Sequence, residues 1–170
     1  MNTKAKHVVT TTFGSLIAIA LLVPQTAVAE DAKIYHGAMC QAGAGDAIQF
    51  FVNGSLNIDP NSGHSVTCPV VRDSVNKGIN SASITAVDNS PVEDVECVLS
   101  SARADGNAVS SSRRTTSGIN TAPQTLQFGT LSAVSGGFYL ITCRIPKAQP
   151  AGAGGFNYSR ILSYRVNEND

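Results

Sequence analysis

The stretch Phe138-Tyr139-Leu140-Ile141-Thr142-Cys143-Arg144-Ile145-Pro146 reads as a β-strand, and it decides the class of fold. Tyr139, Ile141, Cys143 and Ile145 alternate with Phe138, Leu140, Thr142 and Arg144. Successive side chains of a strand point to opposite faces, so a period of two marks one buried face. Pro146 has no N–H to give to a ladder and ends the run. The pattern recurs upstream, with Ala82, Ile84 and Ala86 against Ser83, Thr85 and Val87, and with Val95, Cys97 and Leu99 against Glu96, Val98 and Ser100. Residues 161–166 form a further strand, with Leu162, Tyr164 and Val166 expected on one face. Shorter candidates are 48–52, 65–71 and 124–131.

Turn residues part these runs: Asp59-Pro60-Asn61-Ser62-Gly63, Asp88-Asn89-Ser90-Pro91 and Ser135-Gly136-Gly137. Beyond the first 29 residues no stretch keeps apolar residues at helical spacing for three turns. About seven or eight short strands separated by turns predict an all-β fold, an antiparallel β-sandwich of immunoglobulin-like or jelly-roll-like kind. Residues 100–123, rich in Ser and Thr, and 149–157, with Gly152, Gly154 and Gly155, are expected to be surface loops.

The N-terminal segment has another use. Lys4 and Lys6 precede the apolar run Leu16-Ile17-Ala18-Ile19-Ala20-Leu21-Leu22-Val23, Pro24 breaks it, and Ala27-Val28-Ala29 supplies small residues for cleavage. Residues 1–29 are thus expected to be a secretory signal peptide, with a single secreted domain over 30–170. The apolar run falls short of the roughly 20 residues that span a bilayer, so no integral membrane anchor is expected. No Cys follows the cleavage signal directly, which disfavours a lipoprotein. The 170-residue chain has 12 basic and 12 acidic residues; losing Lys4 and Lys6 leaves 141 residues at a net charge of −2. That balance, without basic stripe or interleaved aromatics, points away from nucleic acid.

Cys40, Cys68, Cys97 and Cys143 all follow the signal segment, and an even number in an exported chain implies disulfides. Four cysteines allow three connectivities; the preferred one is Cys40–Cys68 with Cys97–Cys143, partly because the latter two lie in strong strand patterns. Loops of 28 and 46 residues would be worth about 3.6 and 4 kcal/mol in the chain-entropy model. The spacings do not fit C-x-x-C redox or zinc motifs.

The segments Ala38-Met39-Cys40, Val66-Thr67-Cys68-Pro69-Val70-Val71-Arg72-Asp73, Cys97-Val98-Leu99, Tyr139 to Pro146 and Ser163-Tyr164-Arg165-Val166-Asn167-Glu168 occur in a recurring order. In this the chain resembles a family of small exported bacterial β-sandwich proteins with four cysteines. The resemblance implies export, a disulfide framework and the sandwich; it brings no catalytic residue with it.

Candidate chemistry is sparse. The hydrolase turn G-x-S-x-G and the zinc helix H-E-x-x-H are absent, and only His36 and His64 follow the signal segment. His64 is expected to be a solvated or packing histidine. Asp88, Glu93, Asp94 and Glu96 could serve a glycosidase or, in the sharper form, ligate calcium, the one candidate cation; no cofactor is otherwise implied. Solvated turn charges are the simpler account. Asp59-Pro60-Asn61-Ser62-Gly63-His64 begins like an EF-hand loop and then departs from it, as a type I turn would. Arg72 and Asp73 suggest an ion pair at a strand end, worth about 0–1 kcal/mol if exposed. Arg113 and Arg114 could touch an anionic glycan from their loop. Trp is absent, and among the aromatics Phe156 and Tyr158 are the best exposed binding candidates, Tyr139 and Tyr164 being core residues.

These observations point to a secreted or periplasmic, non-enzymatic binding or surface-structural module for an extracellular or cell-surface ligand. The alternatives are a self-assembling, fimbrial-type subunit using the 161–166 strand as an edge, and a small extracellular hydrolase.

Overall fold

The computed structural model describes residues 32–168; the expected signal segment lies outside them. The strands are β1 (Ala32–His36), β2 (Gln41–Ala42), β3 (Ile48–Phe51), β4 (Gly54–Asn57), β5 (His64–Val70), β6 (Ile79–Asp88), β7 (Glu96–Ala102), β8 (Ala108–Thr115), β9 (Asn120–Phe128), β10 (Phe138–Ile145), β11 (Gln149–Pro150), β12 (Phe156–Asn157) and β13 (Arg160–Glu168). Every pairing between them is antiparallel.

One sheet runs β3-β4-β13-β6-β9, with β1 also on β13; the other runs β2-β5-β10-β7-β8. Renumber β4 to β10 as one to seven and β13 as eight, and the sheets read 1-8-3-6 and 2-7-4-5. Pairs β4·β13, β5·β10, β6·β9 and β7·β8 form one long antiparallel ribbon rolled onto itself, which is the jelly roll, an eight-strand double Greek key. The fold is an all-β sandwich, and its connectivity selects the jelly roll over the immunoglobulin order.

The alternation read from the sequence builds the core. Tyr139, Ile141, Cys143 and Ile145 of β10 are buried, facing Ala82, Ile84 and Ala86 of β6. Val95, Cys97 and Leu99 are fully buried beside them. The two buried tyrosines keep their hydroxyls paired: Tyr139 donates to the Ser132 carbonyl (2.8 Å) and Tyr164 to that of Pro69 (2.9 Å). Burial pushes the Tyr164 phenol up to about 12.

Both disulfides follow the preferred pairing, Cys40–Cys68 and Cys97–Cys143. Neither joins the two sheets: Cys97 and Cys143 are direct cross-strand partners on β7 and β10, and Cys40, just before β2, is bonded to Cys68 of the neighbouring β5.

Three expectations are corrected. On β13 the buried set is Ile161, Tyr164 and Val166, because a register shift between Ile161 and Ser163 inserts one residue and moves Leu162 off the core face. Residues 100–123 are not a loop: they carry the end of β7, all of β8 and the start of β9. β8 is exposed along nearly its whole length, so its Ser and Arg residues show no apolar period; as a terminal strand it uses the backbone groups on one side in the ladder to β7 and turns the others outward. Residues 149–157 hold the two-residue ladder of β11 and β12 at the base of a turn. Among the described residues no helix is long and apolar enough to cross a membrane.

Candidate functional site

β3 and β4 form a hairpin at one end of the larger sheet. Phe51 pairs with Gly54, which leaves Val52 and Asn53 as its two-residue turn. Gly54 has φ +113°, and a Cβ there would fall 1.9 Å from the Ile161 carbonyl oxygen, so only glycine lets β4 approach β13 this closely. His36 ties the tip down through its Nε2, 2.7 Å from the Val52 carbonyl oxygen.

Between this hairpin and the β11–β12 flap lies an open groove of about 550 Å³. Gln49 and Phe51 line it from β3, Val52 and Asn53 from the turn, Leu56 and Ile58 from β4 and its continuation, Phe156 and Tyr158 from the flap. None of these side chains is charged. Phe51 is 49% exposed and Phe156 41%, large for aromatic rings outside a core. The Phe156 and Tyr158 rings stand with centroids 6.4 Å apart and planes 30° apart. The flap is held by an Ala151 N–H to Gly155 carbonyl bond (2.8 Å), and Asn89 Nδ2 donates to the Tyr158 carbonyl (2.9 Å). Apolar side chains on both sides, with the amides of Gln49 and Asn53 on the hairpin side, make a site that stacks on a ligand face and both donates and accepts hydrogen bonds.

The structure thus brings Phe156 and Tyr158 together with residues that sequence reasoning took only for a short strand. Ile48 to Val52 gave a signal, an uncharged apolar run, but not its position at a sheet end.

The other candidates are placed elsewhere. Arg113 and Arg114 lie on β8, remote from the groove in the sheet order. Arg113 pairs with Glu96 at 3.0 Å, and Arg114 Nε donates to the Gln127 carbonyl (2.7 Å), linking the end strands of the two sheets. Arg72 and Asp73 do not pair with each other. The Arg72 guanidinium donates to the carbonyls of Gly137, Ser74 and Lys77 and lies 4.7 Å from the Tyr139 ring centroid, while Asp73 is paired with Lys33.

The four acids of the proposed calcium site do not converge. Asp88 is fully buried and accepts from the Ser90 and Val95 N–H groups and from the Thr116 and Ser159 hydroxyls. Asp94 accepts from the Gly118 N–H, and Glu96 is taken by Arg113. Among the described residues no group of three or more His, Cys, Asp or Glu is placed to hold a metal ion.

The histidines are more engaged than the sequence suggested. His36 Nδ1 accepts from the Ala38 N–H (3.1 Å), so its proton sits on Nε2, facing the Val52 carbonyl. His64 lies between two carboxylates, Nδ1 at 2.7 Å from Asp46 Oδ1 and Nε2 at 2.9 Å from Asp59 Oδ2. The bond to Asp59 and then that to Asp46 raise its pKa above the ordinary value, against partial burial. Asp59 is held below the usual carboxylate range, first by the Asn61 N–H and then by His64. Neither imidazole has a ring nitrogen left for a reacting proton.

No protein-family model matches the chain, and no curated protein matches it. Several solved structures share its general shape. One is the CBM36-1 domain of a multidomain xylanase from the hindgut metagenome of Trinervitermes trinervoides, with a TM-score of 0.48 at 12% identity over 80% of this chain and 96% of that one. Another is a CBM36 carbohydrate-binding module in complex with calcium and xylotriose, with a TM-score of 0.45 at 12% identity over 79% and 98%. A third is the Podospora anserina GH26-CBM35 β-(1,4)-mannanase, with a TM-score of 0.49 at 12% identity over 83% of this chain and 28% of that one. At such scores the likeness decides neither ligand nor mechanism, and the jelly-roll assignment stands on strand order alone.

Proposed function

We propose that this chain is an exported, non-enzymatic binding module that takes a neutral carbohydrate in the groove between the β3–β4 hairpin and the β11–β12 flap. The observation that carries the reading is the lining: half-exposed Phe51 and Phe156 and partly buried Tyr158, with the amides of Gln49 and Asn53 and no charge. A sugar ring offers an apolar C–H face and a rim of hydroxyls that donate and accept, which aromatic faces and carboxamides match together. An anionic ligand would want the arginines that β8 keeps at a distance. The paired cysteines and the resemblance to exported four-cysteine proteins support export. The absence of catalysis is supported by the two histidines, whose ring nitrogens are already committed.

Calorimetric titration against a panel of neutral oligosaccharides tests this. One member should bind, and Phe156→Ala or Tyr158→Ala should weaken it by about 5–30-fold, roughly 1–2 kcal/mol for a central aromatic contact. The melting temperature should stay within about 2 °C, since both rings lie outside the core. Turnover of any panel member, or binding indifferent to both substitutions, would overturn the proposal.

A second reading has one observation in its favour. β3 is a terminal strand of its sheet, and Phe50 and Phe51 are both about half exposed on it, so it could accept an added strand. The 161–166 segment cannot play that part, because β13 lies in the middle of the sheet, paired to β4, β6 and β1. Sedimentation that stays monomeric at high concentration would dispose of self-assembly through β3.

A further inference from the structure

We propose that His64, held between Asp46 and Asp59, is a pH-operated latch on the β3–β4 hairpin. The three residues come from three segments: His64 opens β5, Asp46 lies in the connection from β2 to β3, and Asp59 in the connection from β4 to β5. A neutral imidazole has one N–H and one lone pair, whereas the imidazolium has two N–H donors. Both ring nitrogens of His64 are within hydrogen-bond distance of carboxylate oxygens, at 2.7 and 2.9 Å. Only the imidazolium satisfies both. Deprotonation puts a lone pair against a carboxylate oxygen, and one of the two contacts must open.

The geometry says which. Asp59 is fixed by more than His64: its Oδ1 accepts from the Asn61 N–H (2.7 Å), its own N–H donates to Asn57 Oδ1 (2.9 Å), and its carbonyl accepts from the Ala148 N–H (2.8 Å). Asp46 is held only by a short local turn, in which its Oδ2 accepts from the Gly43 N–H (2.9 Å) and its N–H donates to the Gly43 carbonyl (3.2 Å). The Asp46 side is therefore the one that lets go. Ala47 follows it, with its carbonyl bonded to the Ile58 N–H (3.0 Å), and β3 starts at the next residue. The latch thus governs how firmly the start of β3 is held against the segment carrying Ile58.

The charged groups around His64 are few. β2, β3 and β4 carry none. Arg144 of β10 rests its guanidinium against Gly63, where a Cβ would meet Nη2 at 3.1 Å, and Lys147 lies just beyond β10. Both are cations, which oppose the imidazolium, so the two aspartates must outweigh them.

The linkage signs agree. His64 is raised, so its contribution is complete below about 6.5 and is lost as pH climbs through the folded value. Asp59 is lowered, so its contribution is present above about 4 and is lost as pH falls through its folded value. The latch is closed between those limits and opens on the alkaline side at Asp46.

The test is an NMR titration of the isotope-labelled full chain, without ligand, following the His64 ring and the backbone amides. The His64 midpoint should lie above about 6.5, and Asp46→Asn and Asp59→Asn should each lower it. The amides from Gly43 to Phe51 should shift with the same midpoint, more than those of Asn61 and Ala148. A His64 midpoint at or below 6.5, or β3 amides that ignore it, would overturn the latch. These signals need no sugar; the added consequence, weaker ligand binding above the midpoint, rests on the groove reading and can fail separately.

Discussion

Replacing Asp88 with Asn is the sharpest structural perturbation available. The carboxylate, fully buried at the end of β6, is an acceptor-only group meeting four donors: the Ser90 and Val95 N–H groups and the Thr116 and Ser159 hydroxyls. It ties the end of β6 to the loop after it, to the residue following β8 and to the residue preceding β13. Asparagine keeps the shape but turns one acceptor into a donor. With the NH₂ group at the Oδ2 position the Thr116 hydroxyl turns to accept from it, and the Val95 N–H keeps its bond to Thr116 Oγ1 (2.9 Å); at the Oδ1 position the Ser90 N–H would be orphaned, so the first orientation is the one taken. The loss is then one backbone bond to the carboxylate and the charge that strengthens the others, roughly 1–3 kcal/mol. For a domain of this size that is about 3–15 °C in Tm. Urea unfolding followed by circular dichroism, read as a lower midpoint at unchanged slope, measures it. A loss below about 0.5 kcal/mol would refute the hub. A wild-type Tm that falls on adding chelator would instead revive a calcium role for these acids.

Other outcomes follow from single contacts. Replacing Cys97 and Cys143 together with Ala should cost about 4 kcal/mol for the 46-residue loop, as seen by denaturant unfolding. Gly54→Ala should destabilise by roughly 2 kcal/mol or more, because both its φ of +113° and the Ile161 carbonyl exclude a Cβ; a melt unchanged from wild type would contradict that close approach. The unfolding free energy should be greatest between about pH 4 and 6.5 and decline above this as the His64 contribution is lost, a decline that Asp46→Asn should flatten.

The fold was legible where burial imposed a period. On β10 every residue predicted to face inward does so, because one sheet face meets a core and the other does not. β8 was illegible for the opposite reason: with nearly all its residues exposed, Ser, Arg and Val serve equally, and only its ladder to β7 makes it a strand. The shift at Leu162 was hidden because a bulge costs one residue of phase and leaves composition untouched. For the site, Phe156 and Tyr158 stood out as aromatics beside a glycine-rich turn. Their partners on β3 lie about a hundred residues away, and only the rolled ribbon brings the two ends together. Asp46 and His64, 18 positions apart, were likewise joined by no motif spacing.

The uncharged groove should bind a neutral sugar. Chemical-shift mapping of the labelled chain, titrated with the tightest-binding member of the oligosaccharide panel, addresses it most directly. The largest changes should fall on Gln49, Phe51, Asn53, Phe156 and Tyr158, with β8 and its arginines unmoved. Changes centred on Arg113 and Arg114, or spread evenly over the surface, would contradict it.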